Sequence, residues 1–360
     1  MSPGALRQAV ARRRPAGRAW RAGLLALAAL AVAAVPAASL PASANDHAGD
    51  HTGDHAGARV MVEAMEYPWS AIGRVNAGGR GYCTGFLIGP RHVMTAAHCL
   101  YDFTEGRWRG ANELHFVAGY QRDQFLIHSK VASYQVSPGF DVAEPRDADN
   151  TVHDWALLAL KDPIGRAAGW LGLMDLNSAS LQTLSSSHRL ILQAGYRSGR
   201  AHALTVNPGC RVLRAFAAGR GVLHDCAVFR GDSGSPLLLF AGDHVQVIAM
   251  EVQLVSLDGR KVGAAVSMAA FRGAEEAAAR RALAAAGRVW HGGRPPGDGS
   301  PAARLPNGTI DRLLARLGYL GGGGAKDRRT AILAFEADQG LAPTGAPSLA
   351  LMSRLLTAAP

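Results

Sequence analysis

Residues 85–95, Gly85-Phe86-Leu87-Ile88-Gly89-Pro90-Arg91-His92-Val93-Met94-Thr95, hold two short apolar runs, 85–88 and 93–95, with a Gly-Pro turn signal between them. Runs this short, bounded by glycine and proline, follow the strand pattern and fall short of a helix. The pattern repeats outward in both directions. Runs at 71–75, 115–118, 155–160, 190–194, 236–240, 245–250 and 262–268 are equally brief and β-rich. No helical pattern alternates with them, so the region 67–268 predicts an all-β sandwich or barrel, not a parallel α/β sheet.

Past residue 268 the character changes. Residues 269–289 are rich in Ala, Glu and Arg, with Glu276 and Arg280 at helical pairing distance. Residues 291–306 have the Pro/Gly composition of a linker. Helical periodicity then returns. Ile310, Leu313, Leu314 and Leu317 share one face, Ala331, Ile332 and Phe335 a second, and Leu349, Met352, Leu355 and Leu356 a third. Three short helices predict a small all-α module after the β domain.

The chain has 360 residues, 48% of them hydrophobic, which suffices for a sizeable core in two domains. Its formal charge of +10 is concentrated at the start, where Arg7, Arg12, Arg13, Arg14, Arg18 and Arg21 stand among residues 1–44 without an acid. The remainder is mixed in sign and lacks a basic stripe, which argues against a nucleic-acid partner. The arginines precede an apolar run at 23–35, Pro36 and the small-residue segment Pro41-Ala42-Ser43-Ala44. That order is a signal-peptide pattern with cleavage after Ala44. The rival, an uncleaved anchor, needs about 20 apolar residues, and no later stretch offers a span. The expected product is exported, secreted or periplasmic.

Two further features bear on metals. Residues 46–57 repeat Asp-His-Ala/Thr-Gly three times, carrying His47, His51 and His55. They are candidates for a divalent metal; the plainer reading is a polar, flexible segment. Cys83, Cys99, Cys210 and Cys226 allow three pairings, and the spacing of sixteen in each half favours Cys83–Cys99 and Cys210–Cys226. A Cys₄ metal site is the alternative, without a C-x-x-C pair to support it.

Three segments of the β region carry residues suited to nucleophilic catalysis: Thr95-Ala96-Ala97-His98-Cys99, His153-Asp154-Trp155-Ala156-Leu157-Leu158 and Gly231-Asp232-Ser233-Gly234-Ser235-Pro236. A serine hydroxyl needs an imidazole to take its proton, and the imidazole needs a buried carboxylate to fix its tautomer. Asp141, Asp147 and Asp149 compete with Asp154, but they lie in a polar loop, whereas Asp154 opens an apolar strand. His98, Asp154 and Ser233 are the expected triad, and the N–H groups of Gly231 and Ser233 the expected oxyanion donors. His153 reads as a neighbour of the aspartate.

These three blocks, in the order His, Asp, Ser, resemble the chymotrypsin-like serine peptidases. The resemblance covers roughly residues 60–270 and implies two six-stranded β-barrels with the site between them, and no cofactor. It also implies that a cysteine pair brackets the histidine loop, as Cys83 and Cys99 do. His224-Asp225-Cys226 and Tyr67-Pro68-Trp69-Ser70-Ala71-Ile72-Gly73 are similar to the bacterial glutamyl-endopeptidase-like branch. The position that carries an aspartate in trypsin-like members is Ala227 here. The position that carries the carboxylate-binding histidine of the glutamyl-specific branch is Glu251, which favours basic side chains if it faces the pocket and does nothing if it faces solvent. Many members insert a freed N-terminus against the aspartate before the nucleophile, here Asp232. Cleavage between Arg59 and Val60 would free one, although the family's opening signature is absent.

The tail resembles the three-helix peptidoglycan-binding domain through residues 310–314, Arg316-Leu317-Gly318-Tyr319-Leu320, 330–335 and Gly340-Leu341-Ala342-Pro343-Thr344-Gly345. Leu313, Leu314, residues 321–324 and Glu336 depart from its pattern. The expected organisation is a signal peptide (1–44), the repeat as a propeptide if the chain is cut after Arg59 (45–59), a peptidase domain (60–290), a linker (291–306) and a peptidoglycan-binding-like domain (307–360). The expected function is a secreted serine endopeptidase acting on polypeptides and held at the cell wall. The alternative is a non-catalytic, peptidase-like wall-binding protein.

Overall fold

The structure, a computed structural model, describes residues 59–272 and 293–359, apart from 80, 145, 188, 189, 298, 299, 301, 303, 304 and 322. The expected signal peptide, the Asp-His repeat with His47, His51 and His55, and most of the helix expected at 269–289 lie outside the described residues. The beginning of that helix is present at Ala269–Arg272.

The 85–95 segment forms a hairpin. Strand Tyr82–Leu87 pairs antiparallel with His92–Thr95, Phe86 opposite Met94 and Leu87 opposite Val93. The Gly-Pro turn is closed by the Ile88 N–H donating to the His92 carbonyl at 2.9 Å. Six strands then close into a barrel in the order Ile72–Ala77, Tyr82–Leu87, His92–Thr95, Ala156–Leu160, Ile127–Val136 and Leu114–Ala118. Closure leaves no strand edge unpaired. Ile72, Phe86, Leu87, Met94, Phe116 and Leu158, which lie on these strands and pack on both faces of the barrel wall, are none of them measurably exposed.

The second half differs from the expected six-stranded barrel. Its nine-stranded sheet follows an open path of eight strands, starting at Val60–Met61 and running through Thr205–Cys210, Ile191–Gly195, Pro236–Ala241, His244–Leu257, Arg260–Ser267 and Gly221–His224 to Val212–Phe216. Gly172–Leu173 adds a parallel pairing to His244–Leu257. Helix Ser178–Ser186 packs against the last strand of the path, Ser185 Oγ donating to the Leu213 carbonyl at 3.0 Å. The first strand of the path is supplied by the segment just before the barrel.

Both disulfides form as the spacing suggests, Cys83–Cys99 across the barrel's histidine loop and Cys210–Cys226 in the second sheet. The C-terminal region contains helices Asn307–Arg316, Arg328–Asp338 and Leu349–Ala358. Their expected apolar faces converge. Ile310, Leu313, Leu314, Ile332, Phe335, Met352, Leu355 and Leu356 are all fully enclosed, in a core continuous with that of the β region. The described part of 293–306 runs along the body, Arg294 and Trp170 exchanging two backbone hydrogen bonds at 2.9 Å. No described helix is long and apolar enough to cross a membrane.

The first C-terminal helix is capped from far away in sequence. Pro306 at its N-cap offers no side-chain bond. Instead Glu66 accepts from the N–H groups of Gly308 at 2.7 Å and Thr309 at 3.0 Å, and from Thr309 Oγ1 at 3.0 Å. A carboxylate there satisfies orphan N–H donors and opposes the positive end of the helix dipole. Nearby, Glu63 pairs with Arg312, and its own N–H donates to Thr309 Oγ1 at 3.0 Å.

Candidate active site

His98 sits in the short 3₁₀ turn Ala97–Leu100 that follows barrel strand His92–Thr95. Asp154 stands two residues before the neighbouring strand Ala156–Leu160, and pairing of these two strands sets the residues side by side. The Asp154 carboxylate grips His98 twice. Oδ1 accepts the His98 backbone N–H at 2.9 Å and Oδ2 meets ring Nδ1 at 2.7 Å. Asp154 is only 2% exposed, so little water competes for it. The ring nitrogen that remains, Nε2, lies 3.8 Å from Cys99 Sγ.

The competing aspartates are placed elsewhere. Asp147 caps the helical turn Ala148–Thr151, and Asp149 pairs with Arg220 while largely exposed. Asp141 is exposed and accepts the Ala143 N–H at 2.9 Å. His153 turns away from His98, its Nδ1 3.1 Å from Ser137 Oγ and its Nε2 3.4 Å from Arg220. Burial, reinforced by Arg220, holds its imidazolium below the ordinary histidine value.

Ser233 lies on the turn 229–235, between the two halves of the β region. The Thr84 N–H donates to the Ser233 carbonyl at 2.9 Å, and Thr84 Oγ1 donates to the Gly231 carbonyl at 2.8 Å. Thr84 thus ties the serine loop to the strand that carries Cys83 and, through the disulfide, to the residue after His98. Two glycines permit this. Gly231 has φ +91° and Gly234 φ +82°, a region costly for other residues. A Cβ on Gly234 would come within 2.1 Å of the Thr84 carbonyl oxygen and 2.5 Å of Thr95 Oγ1. Ser233 is half-buried, and among the described residues neither its hydroxyl nor the N–H groups of Gly231 and Ser233 have a hydrogen-bond partner. Unclaimed N–H groups in a tight turn are what a developing oxyanion requires.

The pocket expectations fare differently. Ala227 is buried, and its carbonyl accepts from Arg59 at 3.2 Å. Glu251 faces neither an open pocket nor solvent. It is fully enclosed, with Oε2 2.5 Å from His224 Nε2, so its carboxylate is already engaged. Burial pushes the Glu251 carboxyl up, against the pull of His224. Gly263 makes room for the imidazole, since a Cβ there would sit 2.1 Å from His224 Cε1. The backbone of Glu251 also supports the serine loop, accepting from Gly234 at 2.7 Å and donating to Ser235 at 2.9 Å.

Two site partners escape sequence reasoning. His224 lies in the segment His224-Asp225-Cys226, yet nothing in its spacing reveals a partner 27 residues away. Arg59, expected only as the residue before a cleaved bond, forms an ion pair with buried Asp232 at 2.7 Å. Cys83, His98 and Cys99 bring ligand-type atoms within 4.8 Å of one another, but both sulfurs are in the disulfide and neither is a thiolate.

A sequence profile of the family described as Trypsin matches residues 59–259. The glutamyl endopeptidase of Bacillus licheniformis is 30% identical over 118 residues, 32% of this chain and 34% of that protein. An extracellular metalloprotease of Bacillus subtilis is 30% identical over 105 residues, 29% of this chain and 31% of that protein. The chain thus matches about a third of the length of these curated relatives. A solved structure of a Glu endopeptidase in complex with MPD aligns with a TM-score of 0.49 and 19% identity, over 65% of this chain and 98% of that one.

Proposed function

The chain belongs to the trypsin family, and we propose that it is a secreted serine endopeptidase that hydrolyses polypeptides through an acyl-enzyme on Ser233. The observation that carries this reading is the double grip of buried Asp154 on His98. With Nδ1–H donating to the carboxylate, Nε2 is left as the base. Ser233 Oγ attacks the peptide carbonyl carbon while His98 Nε2 takes its proton. The carbonyl oxygen, now an oxyanion, accepts from the N–H groups of Gly231 and Ser233. Collapse expels the amine, which takes the proton from His98 and leaves an ester on Ser233. Water, deprotonated by the same Nε2, then attacks the ester and frees the enzyme. None of these steps uses a cofactor.

Export is supported by the arginine-apolar-small order of residues 1–44 and by two disulfides, which persist in oxidising compartments. The C-terminal helices are proposed to bind peptidoglycan, on the resemblance of residues 307–360. Hydrolysis of an unfolded polypeptide, with Ser233→Ala inactive, tests the peptidase. Co-sedimentation of the full-length Ser233→Ala protein with purified peptidoglycan tests the tail. A protein that cleaves but stays in the supernatant would contradict wall attachment alone.

A further inference from the structure

Asp232 is fully buried beside the proposed nucleophile, and a buried carboxylate requires a countercharge. Arg59 supplies it. One guanidinium nitrogen donates to Asp232 Oδ2 at 2.7 Å and to the Ala227 carbonyl at 3.2 Å; the other donates to the Thr205 carbonyl at 3.0 Å. The side chains of Arg59 and Asp232 are 4% and 0% exposed. Asp232 in turn holds the serine loop together. Its Oδ2 accepts the Phe229 N–H at 3.0 Å, its own N–H donates to the Phe229 carbonyl at 3.0 Å, and its carbonyl accepts the Ser235 N–H at 2.8 Å. The turn carrying Gly231 and Ser233 is therefore fixed through a carboxylate whose direct cationic partner is Arg59.

We infer that Arg59 is a positioning residue for the Ser233 loop, a side-chain cation doing internally what a freed chain terminus would otherwise do, so that the active protein is uncut between Arg59 and Val60. Two observations and one consequence bear on this. The guanidinium already occupies Asp232. Val60–Met61 is already paired in the sheet, Val60 opposite Val206 and Met61 opposite Thr205. Cleavage after Arg59 would release the guanidinium with the departing segment. The strand is also anchored beyond Met61, where Val62 donates to the Leu204 carbonyl at 3.4 Å and Glu63 and Glu66 are fastened to the first C-terminal helix. Processing that yields active protein should therefore fall before Arg59, within or ahead of the Asp-His repeat.

This inference rests on the serine-peptidase reading, and one experiment separates the two. The wild type, Arg59→Lys, Arg59→Gln and Arg59→Ala are treated with a fluorophosphonate, labelling rates are measured, and the labelled wild type is weighed intact. Arg59 should be present in the labelled wild type. Arg59→Gln should label about 10²-fold more slowly, on the scale of losing one oxyanion donor, with Arg59→Lys in between. Added guanidinium ion should accelerate Arg59→Ala and leave the wild type unchanged, which a general loss of stability would not produce. A labelled wild type beginning at Val60, or Arg59→Gln labelling at the wild-type rate, overturns the inference while leaving the peptidase intact. If Arg59→Gln fails to fold, the intact mass of the labelled wild type decides. A folded wild type that takes no label overturns the peptidase reading, and the inference with it.

Discussion

The carboxylate of Asp154 accepts two hydrogen bonds from one residue, the backbone N–H of His98 at 2.9 Å and its ring Nδ1 at 2.7 Å. The first fixes where the turn sits and the second fixes how the ring is rotated. Asp154→Asn keeps the shape but replaces one acceptor oxygen with a donor, which favours the wrong tautomer. It should lower kcat by about 10⁴-fold with little change in KM. Steady-state kinetics on a peptide substrate checks this, and a fall of only a few-fold would remove Asp154 from the proposed mechanism.

Glu251 and His224 form a fully enclosed pair. His224 Nδ1 also accepts the Cys226 N–H at 3.2 Å, so losing Glu251 leaves the Nε2–H donor buried and unsatisfied, which typically costs about 1–3 kcal/mol. Glu251→Ala should therefore lower the thermal midpoint sharply. Gly263→Ala should do so by displacing the imidazole, since its Cβ would stand 2.1 Å from His224 Cε1. Glu251→Gln should leave the ratio of cleavage after Arg to cleavage after Glu within about two-fold, as 1.4 kcal/mol of side-chain recognition would be needed for a ten-fold change. A collapse of cleavage after Arg in Glu251→Gln would return Glu251 to the specificity pocket.

Glu66 caps a helix whose own N-cap, Pro306, offers no side-chain bond. Glu66→Ala should cost about 1 kcal/mol, the usual value of a lost cap. The loss should be local. Hydrogen exchange should accelerate at the amides of residues 308–314 before it does in the barrel strands. Unchanged exchange there would mean that the apolar face of the helix, with Ile310, Leu313 and Leu314, is sufficient by itself.

His92, His115 and His153 are held below the ordinary histidine value, in each case chiefly by burial. The unfolded chain therefore binds protons on these groups at a pH where the folded chain does not. Their contribution to stability is complete above an ordinary value of about 6.5 and declines as the pH falls below it. His153→Asn should consequently show a smaller drop in thermal midpoint between pH 7 and pH 5 than the wild type. Equal drops would mean that His153 titrates alike in both states.

Much of this architecture is legible in the sequence where burial is one-sided and the runs are apolar. All nine expected β runs fall on strands, among them Tyr82–Leu87, His92–Thr95 and Arg260–Ser267. The strands that escape notice have other physics. Ile127–Val136 alternates Ser129 and Val131 with exposed polar residues and lacks an apolar run. Thr205–Cys210 contains Pro208 and Gly209, which read as a turn. Of the site, His98 and Asp154 are legible because each adjoins a strand, and the structure brings them into contact. The Arg59–Asp232 and His224–Glu251 pairs are not, because nothing local marks partners that meet only when separate strands of the second sheet assemble. The departure at Glu336 becomes intelligible only in three dimensions. Its carboxylate accepts the Thr344 and Gly345 N–H groups at 2.7 and 2.9 Å and pins the turn before the last helix.

The proposed chemistry requires Ser233 to be an activated nucleophile. The most direct measurement is fluorophosphonate labelling of the purified, disulfide-bonded protein beside Ser233→Ala. An activated Ser233 gives stoichiometric labelling of the wild type, a modified peptide containing Ser233, and no labelling of Ser233→Ala. A folded wild type that remains unlabelled, or a Ser233→Ala protein that labels equally, would contradict it.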